Sequence, residues 1–369
     1  MTVRTVSVLH VVLRFDKGGL EMTALNLCRE LRKRGHRSEV LALDGGGETF
    51  DLARSEGINC LDLGGRQMKS PWFHLRVLRA LRSIRPDVVH THHFSALVHT
   101  LPAGLVAGRF RRVHTEHSRL YLEERPDYHR SLQWTSRAVD NFVVVGESML
   151  SWYRDQIGVR PTSLQVIANG VDTARYCPAV PAERNALRQR LGLPAGVLVG
   201  SVGRLAAVKN YPMLLRALAD VRKSRQDVGL VLVGDGPDRT VLETLCRELG
   251  LDGCVHFVGW QRETAPWLRA LDLFALSSKS EAMPLALLEA MACGLPTLAT
   301  AVGDVTAIVN DARGGVVVPS DDQGKYADAL SVLAGMADRS HLGRSARAAV
   351  EGRYSIAAMT ESYLKAYGA

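Results

Sequence analysis

Short uninterrupted apolar runs, each followed by a polar or glycine-bearing loop and then a helical pattern, recur along the whole 369-residue chain. Residues 5–13 alternate too little for a half-exposed strand and read as one buried on both faces. Similar runs stand at residues 38–43, 58–63, 87–91, 112–115 and 141–145. This alternation predicts α/β architecture with doubly wound parallel sheets, whose ligands bind beyond the carboxyl ends of the strands. It breaks at residues 166–178 (VIANGVDTARYCP), where Asn-Gly, Asp and Pro gather as turn formers. It resumes at residues 197–202, 230–233, 255–259 and 271–276. The expected organisation is two domains, residues 1–169 and 181–352, joined by a linker at 170–180. A final segment, 353–369, is helical and apolar at Ile356, Met359, Tyr363 and Tyr367.

Composition narrows the classes. The chain is 46% hydrophobic and 23% charged, as globular proteins are. The first fifteen residues read as a strand and not as a secretory leader, and no stretch has the uncharged apolar length that spans a bilayer. The expected location is cytoplasmic, with peripheral attachment at the inner membrane face left open. Six cysteines without a CxxC pair point to reduced thiols. The net charge of +8 is unevenly spread: 24 Lys+Arg against 17 Asp+Glu through Asn169, then 22 against 21. A basic first half suits an acidic partner such as an anionic membrane or a phosphorylated acceptor. Nucleic acid is the weakest such partner, because no basic run is interleaved with aromatics. The segment from Trp72 to Arg85 (WFHLRVLRALRSIR) carries Leu75, Leu78, Leu81 and Ile84 beside Arg76, Arg79, Arg82 and Arg85. It reads either as a crossover helix with its arginines in water or as a basic amphipathic surface for anionic headgroups.

The densest chemistry lies in residues 277–300 (SSKSEAMPLALLEAMACGLPTLAT). After an apolar strand come Glu281 in a loop, Met283, then Pro284 opening a helix that holds Glu289 about one turn in. Pro suits a first helical turn, and free amides at Leu285, Ala286 and Leu287 would form an anion site suited to a diphosphate. The carboxylates of Glu281 and Glu289 cannot serve the anion and are read as acceptors for sugar hydroxyls. Gly203-Arg204 ends the strand at 197–202, and Lys209 follows five residues later. Two cations there would neutralise a diphosphate leaving group. Gly234 and Gly236 make only a strand–turn–helix joint.

In the first half, Gly18-Gly19 stands between a strand and a helix that opens with Glu21, allowing close backbone approach to a ligand. Two histidine clusters, His90-Thr-His92-His93 and His114-Thr-Glu-His117, close the strands at 87–91 and 112–115. Zinc would need three or four convergent ligands, and Cys or carboxylate partners at metal spacing are missing nearby. Bonding to loop backbone is the default for most of these imidazoles.

Taken in order, GG-x-E, T-x-H, NGVD, GR-x(4)-K and E-x7-E followed by AMACGLPTLAT resemble the retaining glycosyltransferases of the GT-B fold, family 4. The resemblance covers nearly the whole chain and is strongest to bacterial sugar transferases of exopolysaccharide assembly. It implies two Rossmann-like domains facing a cleft, with the last helix crossing back to the first domain. It implies a nucleoside-diphosphate hexose as donor, uridine by family habit, and no further cofactor. Arg204 and Lys209 would contact the diphosphate, Glu289 the ribose, Glu281 the hexose, and Gly18, Gly19, Gly203, Met283, Pro284, Leu285 and Ala286 would complete the donor site. His117 matches the histidine that contacts the donor sugar, while His92 and Glu21 fall on the acceptor side. The acceptor would be a lipid-linked glycan or polysaccharide, or alternatively a small natural product such as an aminocyclitol. A sugar-nucleotide epimerase shares the architecture. No metal is expected, since the chain contains no D-x-D to bridge a cation and a diphosphate. One departure matters: Ala282 replaces the glycine usual after the first Glu, while Asn210 stands where glycine is common and Ala168 where proline is.

Overall fold

The computed structural model describes residues 5–65 and 68–369; residues 1–4, the start of the N-terminal stretch expected to be a strand and not a leader, lie outside that range. The chain divides into two compact units, Met1–Gly170 with Ile356–Ala369, and Val171–Ser355. Each is an α/β unit around one parallel sheet, in agreement with the expected fold class.

Unit 1 holds seven strands: β1 (Ser7–Val12), β2 (Arg37–Ala42), β3 (Cys60–Asp62), β4 (Val88–His92), β5 (Arg111–Glu116), β6 (Asn141–Val144) and β7 (Leu164–Val166). Their order is β3-β2-β1-β4-β5-β6-β7, with every pair parallel. Since β1 pairs with both β2 and β4, the winding reverses between β1 and β4. A ligand-binding crevice is therefore expected beyond their carboxyl ends. β7, which residue patterning does not announce, is only three half-buried residues long and runs straight into the turn formers.

The helix Pro71–Ile84 has Pro71 in its first turn, and Ser70 caps it by accepting the Phe73 N–H at 3.2 Å. Its buried face is Phe73, Val77, Ala80 and Leu81, not the predicted row Leu75, Leu78, Leu81, Ile84. A strict three-residue spacing drifts around a 3.6-residue helix, whereas 73, 77, 80 and 81 stay on one side. Leu78 and Ile84 pack at the margin of that core, and Arg76, Arg79, Arg82 and Arg85 are exposed.

The helix Ile356–Tyr367 packs within unit 1, burying Met359, Tyr363 and Tyr367. Asn141 Nδ2 donates to Ala366 O at 2.9 Å, and Arg34 reaches Glu361 at 3.2 Å.

Unit 2 holds β8 (Val197–Val202), β9 (Val228–Val233), β10 (Val255–Gly259), β11 (Leu273–Leu276), β12 (Thr297–Thr300) and β13 (Gly315–Val318). The order is β10-β9-β8-β11-β12-β13, again parallel, so its winding reverses between β8 and β11. β9 is buried along its full length, which is why VGLVLV carries no alternation. All six cysteines are free thiols. Among the described residues, no helix is long and apolar enough to cross a membrane.

Candidate functional site

In unit 2 the loops leaving β8 and β11 are knitted together where the winding reverses. Ser277 Oγ donates to Lys209 O at 2.8 Å, and the Lys279 N–H donates to Val208 O at 2.8 Å. Thr300 Oγ1, at the end of β12, donates to Ser278 O at 2.6 Å. These bonds hold Lys209 Nζ 2.6 Å from Glu281 Oε1, which also accepts from Ser278 Oγ at 2.7 Å. The side chains are 22% and 11% exposed, so the pair is mostly out of water but open to a ligand. An ammonium has three donors, and two of Lys209's remain after Glu281. Both bonds to Glu281 fall on Oε1, so Oε2 is left to accept a hydroxyl. Arg204 is exposed and makes no ion pair among the described residues.

Close backbone packing explains the glycines. Any Cβ at Gly203 would meet the Tyr211 hydroxyl at 3.0 Å, and one at Gly234 would strike Gly203 O at 2.0 Å. One at Gly236 would strike Leu205 O at 2.3 Å. The glycines just after β9 thus seat one loop on another. Asn210 adopts φ +50°, a left-handed conformation that Asn tolerates better than most residues in place of glycine. Ala282 does not occupy that region, so its methyl adds no backbone strain.

The helix after Glu281 spans Leu285–Ala292, with Pro284 as its N-cap and not its first helical residue. The Leu287 N–H is not free, as it donates to Pro284 O at 3.2 Å. Among the described residues, the Leu285 and Ala286 amides make no backbone bond, so two donors remain where three were expected. Met283 and Pro284 are buried beneath this turn. Glu289 lies beside Tyr176, Arg175 and Thr264, three residues that patterning did not single out. Burial raises its pKa, opposed by the Tyr176 hydroxyl, the Arg175 charge and the Thr264 hydroxyl. Tyr176 OH and Thr264 Oγ1 are 2.9 Å apart, and Arg175 is braced by Glu263 at 2.6 Å. The one advance signal is that Arg175 and Tyr176 stand in the turn-rich segment, two residues beyond NGVD.

Gly303 supports the Glu281 loop from behind. It sits at φ +51°, and a Cβ there would lie 2.1 Å from Glu281 O. Asp304 N–H donates to Ala282 O at 3.2 Å beside it. Gly303→Ala is expected to cost about 2–4 kcal/mol through left-handed strain and backbone collision. It should also lower turnover at least tenfold by displacing Glu281. Thermal unfolding and initial rates measure the two effects, and a variant normal in both would contradict this role.

In unit 1, Gly18 precedes the helix Gly19–Lys33, and Glu21 folds back so that a Cβ at Gly18 would lie 2.2 Å from its Oε2. Burial raises the Glu21 pKa. Thr23 Oγ1 donates to Gly19 O at 2.8 Å. His117 is half-buried just beyond β5. His92 does not face outward as the acceptor-side reading expected. It is 1% exposed, and its ring nitrogens meet His10 Nδ1 at 3.0 Å and His117 Nε2 at 3.1 Å. Strand periodicity puts His90 and His92 on the face that His10 occupies, since His10 is the register partner of His90. Ligand atoms of His10, His90 and His92 lie within 4.8 Å of one another, a spacing a metal ion could use. Both His90 nitrogens are already bonded, to Tyr367 OH and Thr115 Oγ1 at 2.7 Å each, and the trio brings no carboxylate. A metal would have to break bonds at both His90 and His92. Hydrogen bonds already engage five of the trio's six ring nitrogens, all but His10 Nε2.

Two doubly wound parallel-sheet units of this kind define the GT-B class. The model for "Glycosyltransferase Family 4" matches residues 17–175, and that for "Glycosyl transferases group 1" matches residues 196–335. A D-inositol 3-phosphate glycosyltransferase of Stackebrandtia nassauensis is 30% identical over 96% of this chain and 87% of its own length. The lipopolysaccharide core biosynthesis glycosyltransferase LpsD of Rhizobium meliloti is 30% identical over 94% of each chain. In fold, Anabaena Alr3699/HepE in complex with UDP-glucose is similar at TM-score 0.87, with 22% identity over 98% of this chain and 99% of that one. The chain belongs to glycosyltransferase family 4 and is a glycosyltransferase.

Proposed function

We propose that this glycosyltransferase moves a hexosyl group from a nucleoside-diphosphate sugar, with uridine as the base, to an acceptor hydroxyl with retention of configuration. The carrying observation is the Lys209–Glu281–Ser278 cluster beside the open amides of Leu285 and Ala286. Lys209, exposed Arg204 and the two amides would hold the diphosphate and stabilise the charge that grows as the glycosyl–phosphate bond breaks. Glu281 Oε2 would accept a hexose hydroxyl, and Glu289 a ribose hydroxyl. By the family resemblance, His117 would contact the donor sugar, Gly18 and Gly19 would belong to the donor site, and Glu21 would fall on the acceptor side. The absence of D-x-D favours a route in which these cations, and not a bridging metal, carry the leaving group.

The UDP-glucose complex of the HepE fold neighbour supports the donor class. For the acceptor, the likeness to LpsD supports a lipid-linked or polysaccharide glycan at the inner membrane face. The exposed Arg76, Arg79, Arg82 and Arg85, with Trp72 at 75% exposure, suit anionic headgroups there. A small phosphorylated cyclitol is the second reading, favoured by the D-inositol 3-phosphate glycosyltransferases among the relatives.

The test is nucleoside-diphosphate release from a panel of nucleotide sugars, with lipid extract, with inositol phosphates, or with neither. Release from one UDP-sugar, raised severalfold by lipid extract, is the expected outcome. Stimulation by inositol phosphates alone replaces the glycan acceptor with the cyclitol. Isomerisation of the donor without release would overturn the transferase proposal in favour of an epimerase.

A further inference from the structure

Three histidines of unit 1 form a single file. His10 Nδ1 faces His92 Nε2 at 3.0 Å, and His92 Nδ1 faces His117 Nε2 at 3.1 Å. His10 is fully buried on β1, His92 is buried on β4, and His117 is half-buried in the loop beyond β5. His90 flanks the file and takes no part in it. Its nitrogens are held by Tyr367 OH and Thr115 Oγ1, and Thr115 Oγ1 is 3.1 Å from Tyr363 OH. The far end of the file, His10 Nε2, is buried with no partner.

Burial keeps the whole file neutral, lowering His10 and His117 to about 3 and His92 well below its ordinary value. A neutral imidazole carries one N–H and one bare nitrogen, so the file can run in only two directions. Inward, His117 Nε2–H donates to His92, His92 Nε2–H donates to His10, and His10 Nε2 becomes a buried N–H with nothing to receive it. Outward, His10 Nδ1–H donates to His92, and His92 Nδ1–H donates to His117 Nε2. His10 Nε2 is then a bare lone pair. An orphaned buried N–H is the rarer and costlier defect, so the outward direction prevails.

We infer that His10 and His92 are positioning residues that hold His117 as its Nδ1–H tautomer, so that it meets the sugar as a hydrogen-bond donor. The outward-facing nitrogen then donates to a hydroxyl or ring oxygen and cannot serve as a general base. His10 and His92 act only through His117. This inference rests on the proposal that His117 contacts the sugar, but its test does not need turnover.

The full-length protein, labelled with 15N at histidine, reports each ring's tautomer at pH 7.5 through the shifts and long-range couplings of its nitrogens. His117 is expected to show a protonated Nδ1 and a bare Nε2. His92→Leu removes the constraint, and His117 should then average between tautomers, with kcat falling about tenfold. His92→Asn can place an amide N–H where Nδ1 stood, and should restore both the tautomer and most of kcat. An Nε2–H tautomer or an imidazolium in the wild type overturns the inference, as does an unchanged tautomer in His92→Leu. His117→Ala kinetics test the sugar contact separately: normal turnover there removes the site reading and leaves the tautomer assignment to stand or fall on the spectra.

Discussion

Lys209→Met and Glu281→Gln are each expected to lower glycosyl transfer by about 10²–10³-fold, the scale seen when one preorganised charge-stabilising group is removed. Each should also destabilise unit 2. The pair at 2.6 Å is mostly withdrawn from water, and removing one member leaves the other partly desolvated without its counter-charge. The expected loss is about 2 kcal/mol or more, below the full value for a deeply buried pair because Ser278 still serves Glu281. The informative variant is the double substitution. With both charges gone no orphan remains, so urea unfolding should recover most of the lost stability. Transfer should remain as low as in the worse single variant, because the diphosphate and the hexose have still lost their partners. A double variant that recovers activity together with stability would make this an ordinary structural ion pair and would sink the donor-site proposal.

Much of unit 2 could be read in advance because its chemistry is local. Glu281, Pro284 and Glu289 sit within nine residues, and their helix began within one residue of the place that Pro284 suggested. What stayed hidden depends on contacts between distant segments. Glu289 is flanked by Arg175 and Tyr176, more than a hundred positions earlier, and nothing within the E-x7-E stretch points to them. Patterning offers three free amides where two exist, because a proline N-cap lets its own carbonyl capture the Leu287 N–H. His92 was misplaced for a related reason. A histidine at the carboxyl end of a strand is as apt to turn inward as outward, and the choice was fixed by the β1–β4 register that puts His10 beside His90. A lone histidine in the run SVLHVV offers no sign of this.

The same file makes unit 1 sensitive to acid. His10 is neutral in the fold, with its pKa lowered from 6.5 to about 3 by burial, whereas in the unfolded chain it protonates below 6.5. Between those values the unfolded state binds more protons, so stability rises with pH through the window and is flat above it. Lowering the pH from 7.5 to 5 should therefore cost about 2 kcal/mol from His10 alone, at about 1.4 kcal/mol per unit below 6.5. His90, His92 and His117 shift in the same direction and add to the loss. Glu21 works with the opposite sign. Its raised pKa means that stability is lost as pH rises above 4.5, so on acidification it opposes the histidine effect. Hydrogen exchange of peptides spanning β1 and β4, corrected for the intrinsic pH dependence of exchange, would read the opening free energy at pH 5, 6 and 7.5. His10→Leu should flatten that dependence by up to one proton's slope below pH 6.5. An opening free energy that does not fall with acid, or a His10→Leu variant with the wild-type slope, would mean that the imidazoles are not held neutral. The tautomer assignment would then lose its premise, since an imidazolium carries an N–H on both nitrogens and has no tautomer to fix.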